Sequence, residues 1–362
     1  MLKGIKVVDF TQNLPGPYAT LRLAELGAEV IKIEPPTGDY ARYPLEEDQK
    51  ENYLFRCMNQ NKQSLAMNLK NEADKELAME IIKSSDVLIE SYRPGVMERL
   101  GLGYKDIQAV HPAIVYCSLS GYGQNGSMHQ LGSHDLNYMA LSGVLAQLKD
   151  GEGKPIHPTM TFADLIGGTS ATESILGALF QRERTGKGCY LDIALLDTTV
   201  ALMNYHLFIE SATGRRDGIT ALNGNVICYG IYETKDHRYM TLCALETKFW
   251  RNFCLATGHE AWIDAQFSQP TGQNEVYQEL IQLFASKSFE EWTDFSMNVD
   301  CCMAPILEVD EVSDHIYMKD RHLIEERDSY RYMKTRYQME DLSNGMTGTY
   351  PELGQHNQTL KK

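Results

Sequence analysis

Residues 5–34 read IKVVDFTQNLPGPYATLRLAELGAEVIKIE and contain the start of the fold. The apolar run from Ile5 to Phe10 predicts a buried strand, and residues 18–26 predict a helix that Gly27 is placed to end. Residues 29–34 predict a second strand. This β-α-β order predicts two parallel strands joined by a right-handed crossover.

The same alternation of strands and helices continues along the chain. Further strands are predicted at 64–68, 86–90, 113–118 and 190–195, and further helices at 71–84, 165–184 and 197–213. Strands that alternate with helices indicate an open parallel sheet covered on both faces. The fold class is therefore α/β, with a Rossmann-type large domain.

The first strand-to-helix turn, residues 13–17, reads NLPGP and lacks the G-x-G-x-x-G pattern of dinucleotide-binding turns. No G-x-x-x-x-G-K-[ST] phosphate loop occurs either. A Rossmann-type topology here does not by itself imply NAD.

A polar, glycine-rich stretch divides the chain into two domains. Residues 1–213 form the predicted large domain, 214–224 the linker, and 225–324 a smaller α+β domain. The small domain begins with a predicted β-hairpin around residues 235–237. Helical segments are predicted after it, at 250–257, 274–285 and 289–295.

Composition excludes several classes of protein. The 362 residues carry a formal net charge of −15 and no long Lys/Arg run, which disfavours nucleic-acid binding. No stretch approaches the ~20 apolar residues that cross a bilayer, and the N-terminal apolar run is too short for a signal peptide. The eight cysteines are scattered without C-x-x-C or metal-ligand spacing, so we expect reduced thiols, no metal and a cytoplasmic protein.

Two residues are candidates for proton or acyl transfer. His134 lies in Ser133-His134-Asp135-Leu136-Asn137-Tyr138, and Asp164 follows thirty residues after it. The ordinary role of Asp164, just before a predicted helix, is that of an N-cap, and a single histidine is ordinarily solvated or packed in a core. An imidazole and a carboxylate together can instead move a proton at a carbon beside a carbonyl, while the carboxylate alone could attack a thioester.

Several segments together resemble one known family. They are LKGIKVVD (2–9), LAELGAEVIKIEPP (23–36), DVLIESYRPG (86–95), SGYGQ (120–124), ERTGKG (183–188) and GQH (354–356). Over nearly its whole length the chain resembles the class III CoA-transferase/α-methylacyl-CoA racemase family, also known as the CaiB/BaiF group. The resemblance implies an enzyme whose substrate is an acyl-CoA, with no cofactor beyond the coenzyme A of that substrate.

The resemblance also carries expectations about architecture. It implies a Rossmann-type large domain joined by helices to a small domain, and a homodimer of two interlocked chains. It implies that residues 325–362 return to the large domain.

The resemblance implies catalytic roles for three residues. The segment from His134 to Tyr138 is similar to the His-Asp-Ile-Asn-Tyr of the racemase branch, in which the histidine is a catalytic base. Asp164 matches the catalytic aspartate of both branches, and Glu246 matches the glutamate that orients the histidine. The racemase interpretation has His134 and Asp164 exchange the α-proton of a 2-methylacyl-CoA through an enolate.

The transferase branch supplies the alternative interpretation. There Asp164 attacks the thioester, releases CoA thiolate and forms an acyl anhydride that exchanges with an incoming acid. The segment before the aspartate, Met160-Thr161-Phe162-Ala163, departs from the Asn-Leu-Val-Gly common in racemases. A non-catalytic CoA-binding scaffold is a third hypothesis, disfavoured because all three candidate catalytic residues are present.

Coenzyme A needs cations for its phosphates and room for its pantetheine arm. Arg93 follows a predicted parallel strand, where open α/β sheets bind ligands, and Lys62 and Arg99 are weaker candidates. Gly121, Tyr122 and Gly123 form a turn along which the arm could pass close to the backbone.

Overall fold

The computed structural model describes residues 1–44, 53–334, 336 and 348–360. Within them the chain clusters into two compact units. The first comprises Met1–Met203 with His322–Lys362, and the second comprises Asn204–Arg321.

In the described part of the first unit, six parallel strands form one sheet in the order β3-β2-β1-β4-β5-β6. The strands are β1 (Lys6–Phe10), β2 (Glu29–Glu34), β3 (Lys62–Ala66), β4 (Val87–Glu90), β5 (Val115–Ser120) and β6 (Cys189–Ala194). This arrangement confirms the predicted Rossmann-type open sheet.

Helices cover the sheet. They are α1 (Pro15–Glu25), α2 (Tyr53–Met58), α3 (Glu72–Lys83), α4 (Val96–Arg99), α5 (Tyr104–Val110), α6 (Asp135–Ser142), α7 (Phe162–Thr185) and α8 (Leu195–Ala201). Short 3₁₀ turns lie at Tyr40–Arg42 and Leu145–Gln147. Helix α1 begins three residues earlier than predicted because Pro15, with its fixed φ, suits the first helical position.

Alternation along β1 separates the two layers of the core. Val7 packs in an apolar cluster with α1 and α7, whereas Val8 packs on the other face with α3 and α5. Because successive strand residues point to opposite faces, a strand buried on both faces appears in sequence as a continuous apolar run.

The order of the strands reverses between β1 and β4, which pair in parallel from Val7↔Val87 to Phe10↔Glu90. The loops after these two strands meet at the carboxyl edge, where the Gln12 N–H donates to Ser91 Oγ at 3.1 Å. Open α/β sheets bind their ligands in the crevice at such a reversal.

The C-terminal segment packs on the outer edge of the sheet, at β3. The Asn61 N–H donates to the Thr349 carbonyl at 2.8 Å, and the His356 N–H donates to the Ser64 carbonyl at 3.1 Å. A short hairpin, β10 (Ile324–Arg327) and β11 (Tyr330–Met333), precedes this contact, and helix α15 (Asn357–Leu360) follows it.

The second unit has its own antiparallel sheet and core. Its described strands are β7 (Tyr229–Glu233), β8 (Tyr239–Cys243) and β9 (Met303–Pro305), which pair in that order. Its helices are α9 (Asn204–Thr213), α10 (Thr247–Thr257), α11 (Glu275–Ala285), α12 (Phe289–Asn298), α13 (Val309–Val312) and α14 (Ile316–Asp320), with 3₁₀ turns at Thr220–Leu222 and Glu260–Ala265. The core packs three tryptophans, of which Trp250 and Trp292 are fully buried.

The single helix predicted over 197–213 is wrong. The structure has two helices, α8 and α9, separated by Leu202 and Met203, and α9 clusters with the second unit. The apolar residues on both sides of the break conceal it in the sequence. Among the described residues, no helix combines the length and apolar character that crossing a bilayer requires.

Candidate active site

Asp164 lies inside the first turn of α7 and not before the helix. The N-cap residue is Thr161, so the expected N-cap role of Asp164 is wrong and its side chain is available for another. The carboxyl group is half-buried. Its pKa is raised from 3.8 to about 7, first because burial disfavours the charged form and second because Asp135 carries a like charge.

His134 is the N-cap residue of α6, and its exposed side chain makes no capping hydrogen bond. Its backbone N–H donates to Asn137 Oδ1 at 3.1 Å. Its carbonyl accepts the N–H groups of Asn137, at 2.9 Å, and Tyr138, at 3.4 Å. The backbone of His134 is therefore held by the helix, while its imidazole has no hydrogen-bond partner among the described residues.

Asp135 joins the beginnings of the two helices. It is the first residue of α6 and is buried, and its Oδ1 accepts the backbone N–H of Asp164 at 3.0 Å. One carboxylate thus fixes the first turn of α7 against that of α6. The same contact brings a second negative charge close to Asp164.

A pair of tyrosines packs beside this junction. Tyr122 follows β5, and its hydroxyl shares a hydrogen bond of 2.7 Å with Ser133 Oγ. The rings of Tyr122 and Tyr138 pack edge to face with centroids 5.5 Å apart. Burial raises the pKa of Tyr138 to about 12, so its hydroxyl stays protonated near neutral pH.

Gly121 is required by this packing. A Cβ at position 121 would lie 2.3 Å from the Tyr138 hydroxyl oxygen, well inside van der Waals contact. The Gly121–Tyr122 turn therefore lies directly against α6. Gly123 adopts a φ of 77°, which suits glycine and lets the chain turn away from the site.

The small residues at the start of α7 let α1 approach closely. A Cβ at Gly168 would lie 2.5 Å from the Pro15 carbonyl oxygen. Gly168 lies one turn after Asp164, so the packing of α1 fixes the helix that carries the carboxyl group.

Two of the three candidate phosphate ligands are exposed cations in the first unit. The Arg93 side chain lies beside the chain that leads to His134, since a Cβ at Gly132 would be 3.1 Å from Arg93 Nη2. Arg99 ends α4 and lines an open cleft of about 780 Å³ together with Lys105, His129 and Gln130. Both arginines are accessible to an anion.

Lys62 does not have the exposed ammonium that a phosphate ligand needs. Its side chain is 0% exposed and pairs with Asp9 Oδ2 at 3.2 Å. It also donates to the Asn59 side chain at 2.8 Å and to the Pro17 carbonyl at 2.9 Å. Burial lowers its pKa to about 8, and these acceptors fully engage the group, so Lys62 stabilises the start of α1.

Glu246 belongs to the second unit, where it is the N-cap residue of α10. Its side chain is exposed and makes no capping hydrogen bond. The carboxylate is therefore not used by its own helix.

Comparisons with known proteins identify the family. The family model described as CoA-transferase family III matches residues 2–357. The chain belongs to this family.

Its relatives within family III differ in the reaction they catalyse. The chain is 32% identical to "Alpha-methylacyl-CoA racemase" of Homo sapiens over 88% of this chain and 81% of the relative. It is also 32% identical to "Acetyl-CoA:oxalate CoA-transferase" of Acetobacter aceti, over 86% and 82% respectively. Identity alone therefore does not separate the two reactions.

The structure of a CAIB/BAIF family protein from Brucella suis superposes on this family III chain with a TM-score of 0.87. The match covers 99% of this chain and 98% of the other at 23% identity. This likeness confirms the fold.

Sequence reasoning missed Asp135 and Tyr138, although both lie in the segment that pointed to His134. An acidic residue in the first turn of a helix is commonly only a favourable partner of the helix dipole. Its contact with Asp164 joins residues 29 positions apart. No local pattern reports such a contact.

Proposed function

We propose that this protein catalyses 1,1-proton transfer at the α-carbon of an acyl-CoA, as an α-methylacyl-CoA racemase does, with His134 and Asp164 as the two acid/base groups. The observation that supports it best is the half-buried Asp164, whose pKa is raised to about 7 and whose backbone N–H donates to Asp135 at the start of α6. A general acid/base works best with a pKa near the operating pH, because both of its forms are then populated.

In the proposed reaction one group removes the α-proton and the conjugate acid of the other returns a proton to the opposite face. The C–H bond breaks, its electron pair delocalises onto the thioester oxygen as an enolate, and a new C–H bond forms. No atom is gained or lost. The reaction therefore needs one protonated and one unprotonated group at the same time.

The start of α6 is suited to bind the enolate oxygen. The N–H groups of Asn137 and Tyr138 already bond to the His134 carbonyl, so among the described residues those of Asp135 and Leu136 remain available. The first N–H groups of a helix have no intrahelical acceptor and carry partial positive charge. Donors that are in place before the charge develops are the effective ones.

Arg93 and Arg99 are the proposed ligands of the CoA phosphates, and Gly121, Tyr122 and Gly123 the proposed path of the pantetheine arm. Support comes from the exposure of both guanidinium groups and from the position of Arg93 beside Gly132, two residues before His134. Lys62 is withdrawn from this set because it is buried. Glu246 is the proposed third catalytic residue, and coenzyme A enters only as part of the substrate.

The second candidate function is CoA transfer. It is favoured by the identity of the chain to transferases, which equals its identity to a racemase. Asp164 would then attack the thioester carbonyl, the C–S bond would break, and CoA thiolate would leave. This route requires ionised Asp164, and it is less favoured because it gives His134 and Glu246 no role.

Incubation with a 2-methylacyl-CoA in D₂O separates the two functions. We expect deuterium at the α-carbon, no hydroxylamine-sensitive adduct on Asp164, and loss of exchange in His134→Ala with CoA binding retained. His157→Ala, which changes another exposed histidine of the first unit, is the matched control. Unchanged exchange in His134→Ala would refute the two-base mechanism, and an adduct on Asp164 without exchange would establish the transferase.

The protein is also proposed to be a homodimer. Equilibrium sedimentation should give twice the mass of the chain, and a monomer would contradict this proposal.

A further inference from the structure

Two cysteines of the second unit face each other across the β8–β9 pair. Leu242 pairs with Met303 in the antiparallel register, so the next pair outward is Cys243 and Cys302. Just beyond the last registered pair, the Cys243 N–H donates to the Cys302 carbonyl at 2.8 Å, so the two backbones remain in contact there. Residues directly opposite in such a ladder have Cα atoms about 4.5–5.5 Å apart, within the roughly 4.4–6.8 Å that a disulfide spans.

Both side chains lie on the open face of the sheet. Met240 and Leu242 are buried in the core, so the alternate residue Cys243 points to the other face, where it is half-buried. Cys302 is exposed, whereas the adjacent Cys301 is buried. The pair is therefore separate from the thiols of the core.

Cys302 also has an unusual backbone conformation. Its φ is 53°, in the left-handed region that residues other than glycine seldom occupy. Backbone outliers of this kind concentrate at functional positions. Here the outlier, Cys302, immediately precedes β9.

The thiol pair lies next to Glu246. The Leu245 N–H donates to the Cys243 carbonyl at 3.0 Å, and Glu246 follows as the N-cap of α10. Partial desolvation raises the pKa of Cys302 although its side chain is exposed, and the negative charges of Glu246 and Asp300 raise it further. The Glu246 carboxylate is thus close enough to act on the Cys302 thiol.

We propose that Cys243 and Cys302 form a redox-active thiol pair, which a peroxide oxidises to a disulfide that displaces Glu246. The inference rests on the proposed function, in which Glu246 takes part in catalysis. It adds a regulatory modification site to that function.

The chemistry balances with hydrogen peroxide as the oxidant. The Cys302 thiol ionises, its thiolate attacks one peroxide oxygen, and the O–O bond breaks. The leaving hydroxide takes up the proton that the thiol released, so a sulfenic acid and one water form. The Cys243 thiol then attacks the sulfenic sulfur, the S–S bond forms, and a second water leaves. Two thiols lose two hydrogens in total, and one peroxide is reduced to two waters.

The charged groups around Cys302 determine the pH dependence of oxidation. Partial desolvation favours the thiol most, Glu246, Asp300 and Cys243 favour it further, and Lys248 of α10 opposes them, so that the net effect is a raised pKa. Because the thiolate is the nucleophile, oxidation should accelerate as pH rises through and above neutrality.

The test treats the reduced full-length protein with a small excess of hydrogen peroxide and maps disulfides by peptide mass spectrometry without reductant. We expect a Cys243–Cys302 crosslink, a change of amide hydrogen exchange at residues 244–250, and reversal of both by dithiothreitol. We also expect α-deuterium exchange of the substrate to fall about ten- to hundredfold, the scale of catalytic misplacement.

Variants of single cysteines distinguish the proposed disulfide from oxidation of other cysteines in the protein. Cys302→Ser and Cys243→Ser should each abolish the crosslink and the inhibition. Cys57→Ser, which removes an exposed cysteine of the first unit, should oxidise as the unaltered protein does. A Cys301–Cys302 disulfide, a disulfide between chains, or irreversible oxidation of Cys302 without a crosslink would overturn the proposal.

Different measurements test the proposed function and the proposed thiol pair. If the reduced protein does not exchange the α-proton, the proposed function fails, while the crosslink and the hydrogen exchange at residues 244–250 still decide whether the pair forms and moves Glu246. If the crosslink forms with no change at those residues, the pair does not act on Glu246 and the inference fails.

Discussion

Asp164→Asn should make the protein more stable, and more so at high pH. The pKa of Asp164 is 3.8 in an unfolded chain and about 7 in the folded protein, so the folded state binds this proton more tightly. The contribution of this carboxyl to stability is therefore complete below pH 3.8 and is lost as pH rises through about 7. Asparagine has nearly the same shape and carries no charge, so the variant avoids the loss.

The expected magnitude follows from the two pKa values. Between pH 5 and pH 8 the unaltered protein should lose about 2.5 kcal/mol of unfolding free energy through Asp164, at roughly 1.4 kcal/mol for each pH unit of proton linkage. The stability advantage of Asp164→Asn should therefore be larger at pH 8 than at pH 5 by that amount.

Urea unfolding followed by circular dichroism at the two pH values measures this difference. Asp197→Asn is the matched control, because Asp197 is also the third residue of a helix but is exposed. The control should show no comparable pH dependence. An equal effect of Asp164→Asn at both pH values would refute the argument that burial keeps this carboxyl protonated near neutrality.

Three further predictions test the surroundings of the site. Asp135→Asn keeps an oxygen that accepts the Asp164 N–H but removes the like charge, which should lower the pKa of Asp164 and move the acid limb of the pH–activity profile to lower pH. An unmoved acid limb would show that Asp135 acts only as a structural contact. Gly121→Ala should lower the free energy of unfolding by about 1–3 kcal/mol because the added Cβ would meet Tyr138. Gly177→Ala places its Cβ in open space in the same unit and should not destabilise the protein, so equal Tm values for the two variants would contradict the packing argument. Lys62→Met should lower the free energy of unfolding by about 3 kcal/mol or more, because buried Asp9 loses an ion-pair partner. The affinity of the folded protein for CoA should not change, and weaker CoA binding without a loss of stability would show that Lys62 is a phosphate ligand.

The alternation of strands and helices in the first unit could be predicted closely because it depends on near neighbours in the chain. The predicted strand at 29–34 coincides with β2, and the helix predicted at 71–84 contains α3 with Asn71 and Ser84 as its two caps. The break between α8 and α9 could not be predicted in the same way. Both sides of it are apolar, so the pattern of hydrophobic residues continues across it.

The candidate site likewise contains residues that the sequence could single out and a contact that it could not predict. His134 and Asp164 could be singled out from residue type and from resemblance to a family. The contact between Asp135 and Asp164 could not, because it joins the starts of two helices that are brought together only by packing on the sheet.

Local periodicity and short motifs are enough to predict the parallel α/β architecture, the family and the candidate catalytic residues. Which charges are accessible and which are buried depends on the folded chain: Arg93 is exposed, Lys62 is enclosed by Asp9 and Asn59, and the pKa of Asp164 is raised to about 7. Solvation and electrostatic interaction depend on distances in space, and those distances are set by residues that lie far apart in the chain.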